Sequence, residues 1–167
     1  MARPVITMIL KALFGLLLLL PVLLVLAGKA GLLAGKAPAD LGVREGRLKP
    51  PSRTENSVSS QASLVPEHPM RAYAEIQPLP MRGDAAATLA QLQAVVGAMP
   101  GATVVQSGPD YLYARFTTRW LKFVDDVEFW VDPAGVVQVR SASRLGRKDF
   151  GVNRARVEAI RAALAAR

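Results

Sequence analysis

The chain has 167 residues, 51% of them hydrophobic, and a formal net charge of +8; that length holds about one domain. It contains no cysteine and one histidine, which excludes a disulfide framework, thiolate metal sites and a lipidated N-terminal cysteine. Residues 40–139 carry 9 basic and 11 acidic side chains, whereas residues 140–167 carry 8 basic ones against Asp149 and Glu158, so the C-terminal end is where a cationic surface is expected.

Ala12 to Gly28 is an uncharged run dominated by Leu16–Leu20 and Val22–Leu26. That length is at the lower limit for crossing a hydrocarbon core about 30 Å thick, and Lys11 and Lys29 can extend it by burying their stems. Pro21 is tolerated in such a helix. The expectation is an uncleaved anchor over residues 1–35. The competing reading is a cleaved signal, with small-residue sites after Ala30 and after Ala39. A duplication, Leu26-Ala27-Gly28-Lys29-Ala30 and Leu33-Ala34-Gly35-Lys36-Ala37, sets Ala27, Gly31 and Gly35 four residues apart. It reads as a helix end merging into a neck, with close membrane-helix packing as the alternative. Arg3 and Lys11 on one side nearly balance Lys29 and Lys36 on the other, tipping slightly towards an inside N-terminus.

Residues 36–69 hold five prolines and a polar stretch without apolar periodicity, which predicts an extended linker lying partly on the domain. His68, alone between Glu67 and Pro69, has no histidine or cysteine to join it in a metal site or triad. The domain is expected over residues 70–167. Arg71 to Gln77 alternates weakly and reads as a strand. Asp84 is a candidate N-cap for a helix through Met99, with Leu89, Leu92, Val96 and Met99 on one face. Two strands then flank Ser107-Gly108-Pro109-Asp110, the second placing Leu112, Ala114 and Phe116 on one face and Tyr111, Tyr113 and Arg115 on the other.

Asp132-Pro133-Ala134-Gly135 suits a type I turn closed by glycine in a bulge. Setting Asp132 opposite Val136 places Val131 against Val137, Phe129 against Val139, Val127 against Ser141 and Asp125 against Ser143. Glu128 then faces Arg140 on the other side as an opposite-charge pair. A one-residue slip would mix apolar and charged faces, so the pattern selects this register. A final helix from Val152 to Ala166 turns Val157, Ile160 and Leu164 inward and Arg154, Arg156 and Arg161 outward. The predicted class is α+β. An antiparallel sheet of about five strands, in the order β-α-β-β-β-β-α, carries helices on one face and follows one transmembrane helix.

The segment Phe123-Val124-Asp125-Asp126-Val127-Glu128-Phe129 and the run from Val139 to Ile160 resemble the domain of unknown function 1499 family. Gly46-Arg47-Leu48-Lys49-Pro50 and Val58-Ser59-Ser60-Gln61 are similar to it as well. The resemblance spans roughly residues 40–165 and implies an envelope protein with an N-terminal membrane or export segment. It transfers no catalytic residue. Related members often have two cysteines before the Val-Ser-Ser-Gln stretch, where this chain has Pro51 and Ser57. The oxidising compartment that such a disulfide implies points to a domain outside the cytoplasm.

Three functions compete: a non-catalytic binding or structural protein of the envelope, an anionic-ligand module, and a hydrolase. Ser59, Ser60, Ser141 and Ser143 lack both a base and a strained glycine-flanked turn, and strand alternation separates Asp125 from Asp126. The anionic-ligand module would rest on Arg140, Arg144, Arg147, Lys148, Arg154 and Arg156, near lipid headgroups or phosphate. Nucleic acid is disfavoured, because no aromatic residue interleaves with the basic run. No metal or cofactor is expected; the expected partners are the membrane and an envelope protein or anionic lipid. Asp125 interrupts an otherwise apolar stripe and needs hydrogen bonds or a cation beside it. The candidate polar network therefore comprises Asp125, Ser141, Ser143, Arg144, Asp149, Asn153 and Arg154, with Glu128 and Arg140 as the cross-strand pair. It serves either structure or a ligand pocket.

Overall fold

A computed structural model describes residues 2–166, with side chains from Val5 onward; the charges of Arg3 and Arg167 counted above lie outside the described side chains. Helix α1 (Ala2–Lys29) has 28 residues with Pro21 inside it, about 42 Å at 1.5 Å per residue. From Val5 to Lys29 it is long and apolar enough to cross a membrane. It stops where the chain needs a left-handed residue. Gly31 has φ 80°, and its N–H donates to Gly28 O while Leu32 N–H donates to Ala27 O, a Schellman closure. Gly31 and Gly35, both at positive φ, therefore lie beyond the helix, and of the three small residues spaced four apart only Ala27 is within α1.

Six strands form one antiparallel sheet: β1 (Ser57–Ser59), β2 (Leu79–Pro80), β3 (Ala102–Ser107), β4 (Tyr111–Thr117), β5 (Val124–Val131) and β6 (Val136–Ser143). The order is β1-β6-β5-β4-β3, with β2 also pairing β6. The expected hairpin register holds at every pair, from Asp125 opposite Ser143 to Val131 opposite Val137. Gly135 lies at φ 78°, and its N–H donates to Asp132 O at 3.0 Å.

Helices α3 (Ala85–Gly97) and α4 (Val152–Ala165) cover one face. Asp84 caps α3, its carboxylate accepting from Ala87 N at 2.8 Å. The main core gathers Leu89, Leu92 and Val96 from α3 and Val157, Ile160 and Leu164 from α4. They pack against Leu112, Phe116, Val127, Phe129, Val137 and Val139 of the sheet.

Two expectations are corrected. Arg71 to Gln77 is not a strand: Arg71–Ala74 forms one helical turn, α2, with Ala74 N–H bonded to Met70 O and Glu75 N–H to Arg71 O. The weak alternation came from Ala74 and Ile76, buried by that turn and its exit. Residues 36–69 do more than link. Ser57–Ser59 is an edge strand on β6, Val58 joins the main core, and Leu48 packs with Tyr111 and Trp130 on the helix-free face. Pairing to a distant strand leaves little periodic trace in three residues, so the polar composition concealed it.

Candidate functional site

On the helix-covered face, Asp125 (6% exposed) projects from the start of β5 towards α4. Its carboxylate accepts from Arg156 Nη2 at 2.5 Å, and the guanidinium lies 4.6 Å over the Phe116 ring. Arg156 Nη1 also donates to Ser141 Oγ at 3.0 Å and Asn153 Oδ1 at 2.7 Å. Asn153, fully buried, spreads the network further through Nδ2, which donates to Ser143 Oγ, Asn56 O and Asp149 Oδ2. Asp149 accepts from Tyr73 Oη at 2.5 Å and from Gly151 and Asn153 N–H. Burial raises the carboxyl pKa of Asp149, but these hydrogen bonds outweigh it and leave the group below its ordinary value. The same burial and contact push Tyr73 up to about 12.

A second network fills the other face. Glu128 is fully buried and accepts from Tyr111 Oη at 2.8 Å and Gly42 N at 2.7 Å. Arg140 Nη1 stands 3.5 Å from it and Arg140 Nε 3.4 Å from Pro50 O. Burial lowers the Arg140 pKa, opposed by the charge of Glu128. Asp126 takes a two-pronged grip from Arg144, at 2.9 and 2.7 Å, and a bond from Tyr113 Oη at 2.5 Å. That pairing raises Arg144, while burial foremost and Asp126 next push Tyr113 up to about 12. The lid over this face is residues 38–50, closed by Lys49 on Asp40 at 2.7 Å and by the Arg44–Arg47 turn.

Of the seven network candidates, Asp125, Ser141, Ser143, Asp149 and Asn153 meet on the helix side. Arg144 turns to the opposite face. Arg154 goes to Tyr73 O and Glu75 O. The residue expected to face outward, Arg156, is the partner of Asp125. Three residues after Asn153 and four before Ile160, it shares their helix face, a spacing that could have identified it. Tyr73 and Asn56 carried no such signal, since only chain folding brings them near α4. Glu128 and Arg140 do pair, but in the interior rather than on a solvated surface. Of the six cations assigned to an anion-binding face, Arg140, Arg144 and Arg156 are spent on internal carboxylates.

The serines nominated as nucleophiles are likewise held. Ser60 Oγ donates to Gln138 Oε1 at 2.6 Å, Ser141 Oγ donates to Asn153 Oδ1 at 2.5 Å, Ser143 Oγ accepts from Asn153, and Ser59 Oγ accepts from Gln61 N. His68 Nδ1 accepts from Met70 N at 3.2 Å. Asp125, Ser143 and Asp149 do edge a hollow of about 300 Å³ with Phe123, Leu145 and Val152. Among the described residues, no three His, Asp or Glu side chains converge as metal ligands.

The upstream segments have structural partners too. Leu48 N–H donates to Gln61 Oε1 at 2.8 Å, joining the Gly46–Pro50 and Val58–Gln61 stretches. Beside Pro51, Ser57 Oγ accepts from Ser52 N at 2.8 Å, so hydrogen bonds close the loop where the resemblance implies a disulfide in related members. No curated protein matches the sequence. Residues 47–164 match the family described as protein of unknown function (DUF1499), and over that span, well beyond half its length, the chain belongs to this family.

Proposed function

We propose that this chain is a membrane-anchored, non-catalytic protein of the cell envelope, whose domain stands outside the cytoplasm and binds or supports another envelope component. The observation that carries this reading is the seat of α1. Gly28 is buried against the loop after β4, so closely that a Cβ there would lie 2.4 Å from Leu121 O. A leader destined for removal has no need of such a fit, whereas a permanent anchor gains a fixed angle to its domain. The non-catalytic part is supported by the pairing of Asp125, Asp126 and Glu128 with arginines inside the fold. Carboxylates committed in this way are poor acids, bases or metal ligands.

The test is N-terminal sequencing of the protein from the membrane fraction, with protease digestion of intact cells and spheroplasts. An intact α1 and a domain digested only once the outer barrier is opened are expected. A mature chain beginning at Gly31 or Asp40 would replace anchoring by export and release. A second reading, binding of an anionic ligand, is favoured by the exposed cations and aromatic rings where α1 meets the domain.

A further inference from the structure

The strand ends establish which end of the domain lies nearest α1. Gly28 packs on Leu121, between β4 and β5, and a Cβ at Gly35 would lie 2.7 Å from Arg144 Cβ and 3.0 Å from Leu145. The loops 118–123 and 144–151 therefore flank the point where α1 leaves. If α1 spans a bilayer, these two loops face its surface.

Their composition is unlike the rest of the domain. Beyond residue 36, the described large apolar side chains that are exposed are Leu64, Val105, Trp120, Phe123, Leu145, Phe150 and Val152, and the last five belong to this end. Trp120 is 63% and Phe150 92% exposed. Phe150 is held at φ 54° and Lys122 at φ 57°, a left-handed conformation costly for side chains of this size. A strained turn that displays a phenylalanine to water gains nothing from folding alone.

The charges complete the pattern. Arg119, Lys122 and Arg147 lie on these loops, and Lys29 and Lys36 on the adjoining helix end and neck. The acids nearby, Asp125, Asp126 and Asp149, point inward to their partners, and Glu55 is taken by Lys148. The outer surface is left cationic. The Arg119 guanidinium sits 4.9 Å over the Trp120 ring, placing positive charge and amphipathic ring together, as suits the boundary between headgroups and acyl chains. A hollow of about 810 Å³ at the same end, lined by Met99, Phe116, Arg119, Lys122 and Val152 among others, offers an apolar floor with a cationic rim.

We infer that this end of the domain is a docking surface for an anionic bilayer: Trp120 and Phe150 enter the headgroup region, and Arg119, Lys122 and Arg147 contact lipid phosphates. The inference rests on the reading of α1 as a retained membrane span. Exposed apolar area rimmed by charge marks an interaction site, and the exit of α1 brings the bilayer to it without a diffusional search. The cations then favour an anionic leaflet over a zwitterionic one.

The full chain, reconstituted in vesicles of phosphatidylcholine alone or mixed equally with phosphatidylglycerol, tests this with acyl-brominated phosphatidylcholine as quencher. Trp120 and Trp130 are the two tryptophans, and Trp130 is buried at the far end of β5. Quenching of the Trp120 share of the emission is expected, strongest with phosphatidylglycerol and absent in Trp120→Phe. Combined Arg119→Gln, Lys122→Gln and Arg147→Gln should bring quenching down to the phosphatidylcholine level. A chain that resists carbonate extraction yet leaves Trp120 unquenched in both vesicles overturns the docking surface alone. Equal quenching in both vesicles, unchanged by the triple substitution, overturns its preference for anionic lipid. Release by carbonate overturns the span itself, and the docking surface with it.

Discussion

Arg156 Nη2 lies 2.5 Å from Asp125 Oδ2, with both side chains only 9% exposed, so α4 is bound to the sheet by charge where the apolar stripe of β5 is interrupted. An ion pair in that position is expensive to break on one side only. The survivor stays buried without its counter-charge.

Asp125→Asn keeps the shape and removes the charge, and should lower unfolding stability by on the order of 3 kcal/mol. Denaturant unfolding of the full chain in detergent measures it. A loss below about 1 kcal/mol would place the pair among solvated ones. A stable, folded variant with a lost cellular role would instead make Asp125 a ligand-binding group.

Phe129 is fully buried among strand and helix side chains, so Phe129→Ala should cost about 3–5 kcal/mol through lost transfer energy and the cavity left behind. The same unfolding measurement decides it. A small effect would be incompatible with this packing.

Gly135→Val forces a β-branched residue into φ 78° at the β5–β6 turn, where the left-handed conformation costs about 1–2 kcal/mol. Thermal melting should report the decrease, while Ala134→Ser, on the exposed turn beside it, should leave the midpoint near its original value.

Asp149 has a pKa below its unfolded value because Tyr73, Gly151 and Asn153 stabilise the carboxylate against burial. A depressed carboxyl contributes stability above its unfolded pKa of about 3.9 and loses that contribution as pH falls through the folded value. Asp149→Asn should therefore be less stable at neutral pH and show a shallower decline in melting temperature below about pH 4. An unchanged acid limb would mean that Asp149 is not among the groups that set it.

Local pattern was enough for much of the fold. The β5–β6 register followed from Asp132-Pro133-Ala134-Gly135 together with the alternation on either side, because a slip would move every side chain to the wrong face. Asp84 announced α3, and Val157, Ile160 and Leu164 announced the buried face of α4. The need for a cation beside Asp125 was legible as well, since a charge on an apolar stripe demands a partner. Which cation was not. Arg144 follows directly after Ser143 but rotates to the opposite face with Asp126, whereas Arg156 arrives from α4.

Composition and periodicity by themselves determined the apolar N-terminal helix, the α+β class, the hairpin register and the position of the carboxylate that needs a cation. Each of these depends on neighbours along the chain or on one alternating face. Tertiary structure alone decided that Ser57–Ser59 would become an edge strand, that residues 38–50 would bury Glu128 and Arg140, and that Trp120 and Phe150 would share the end from which α1 departs. Those outcomes join residues tens of positions apart, so their energies reside in contacts that no local window contains.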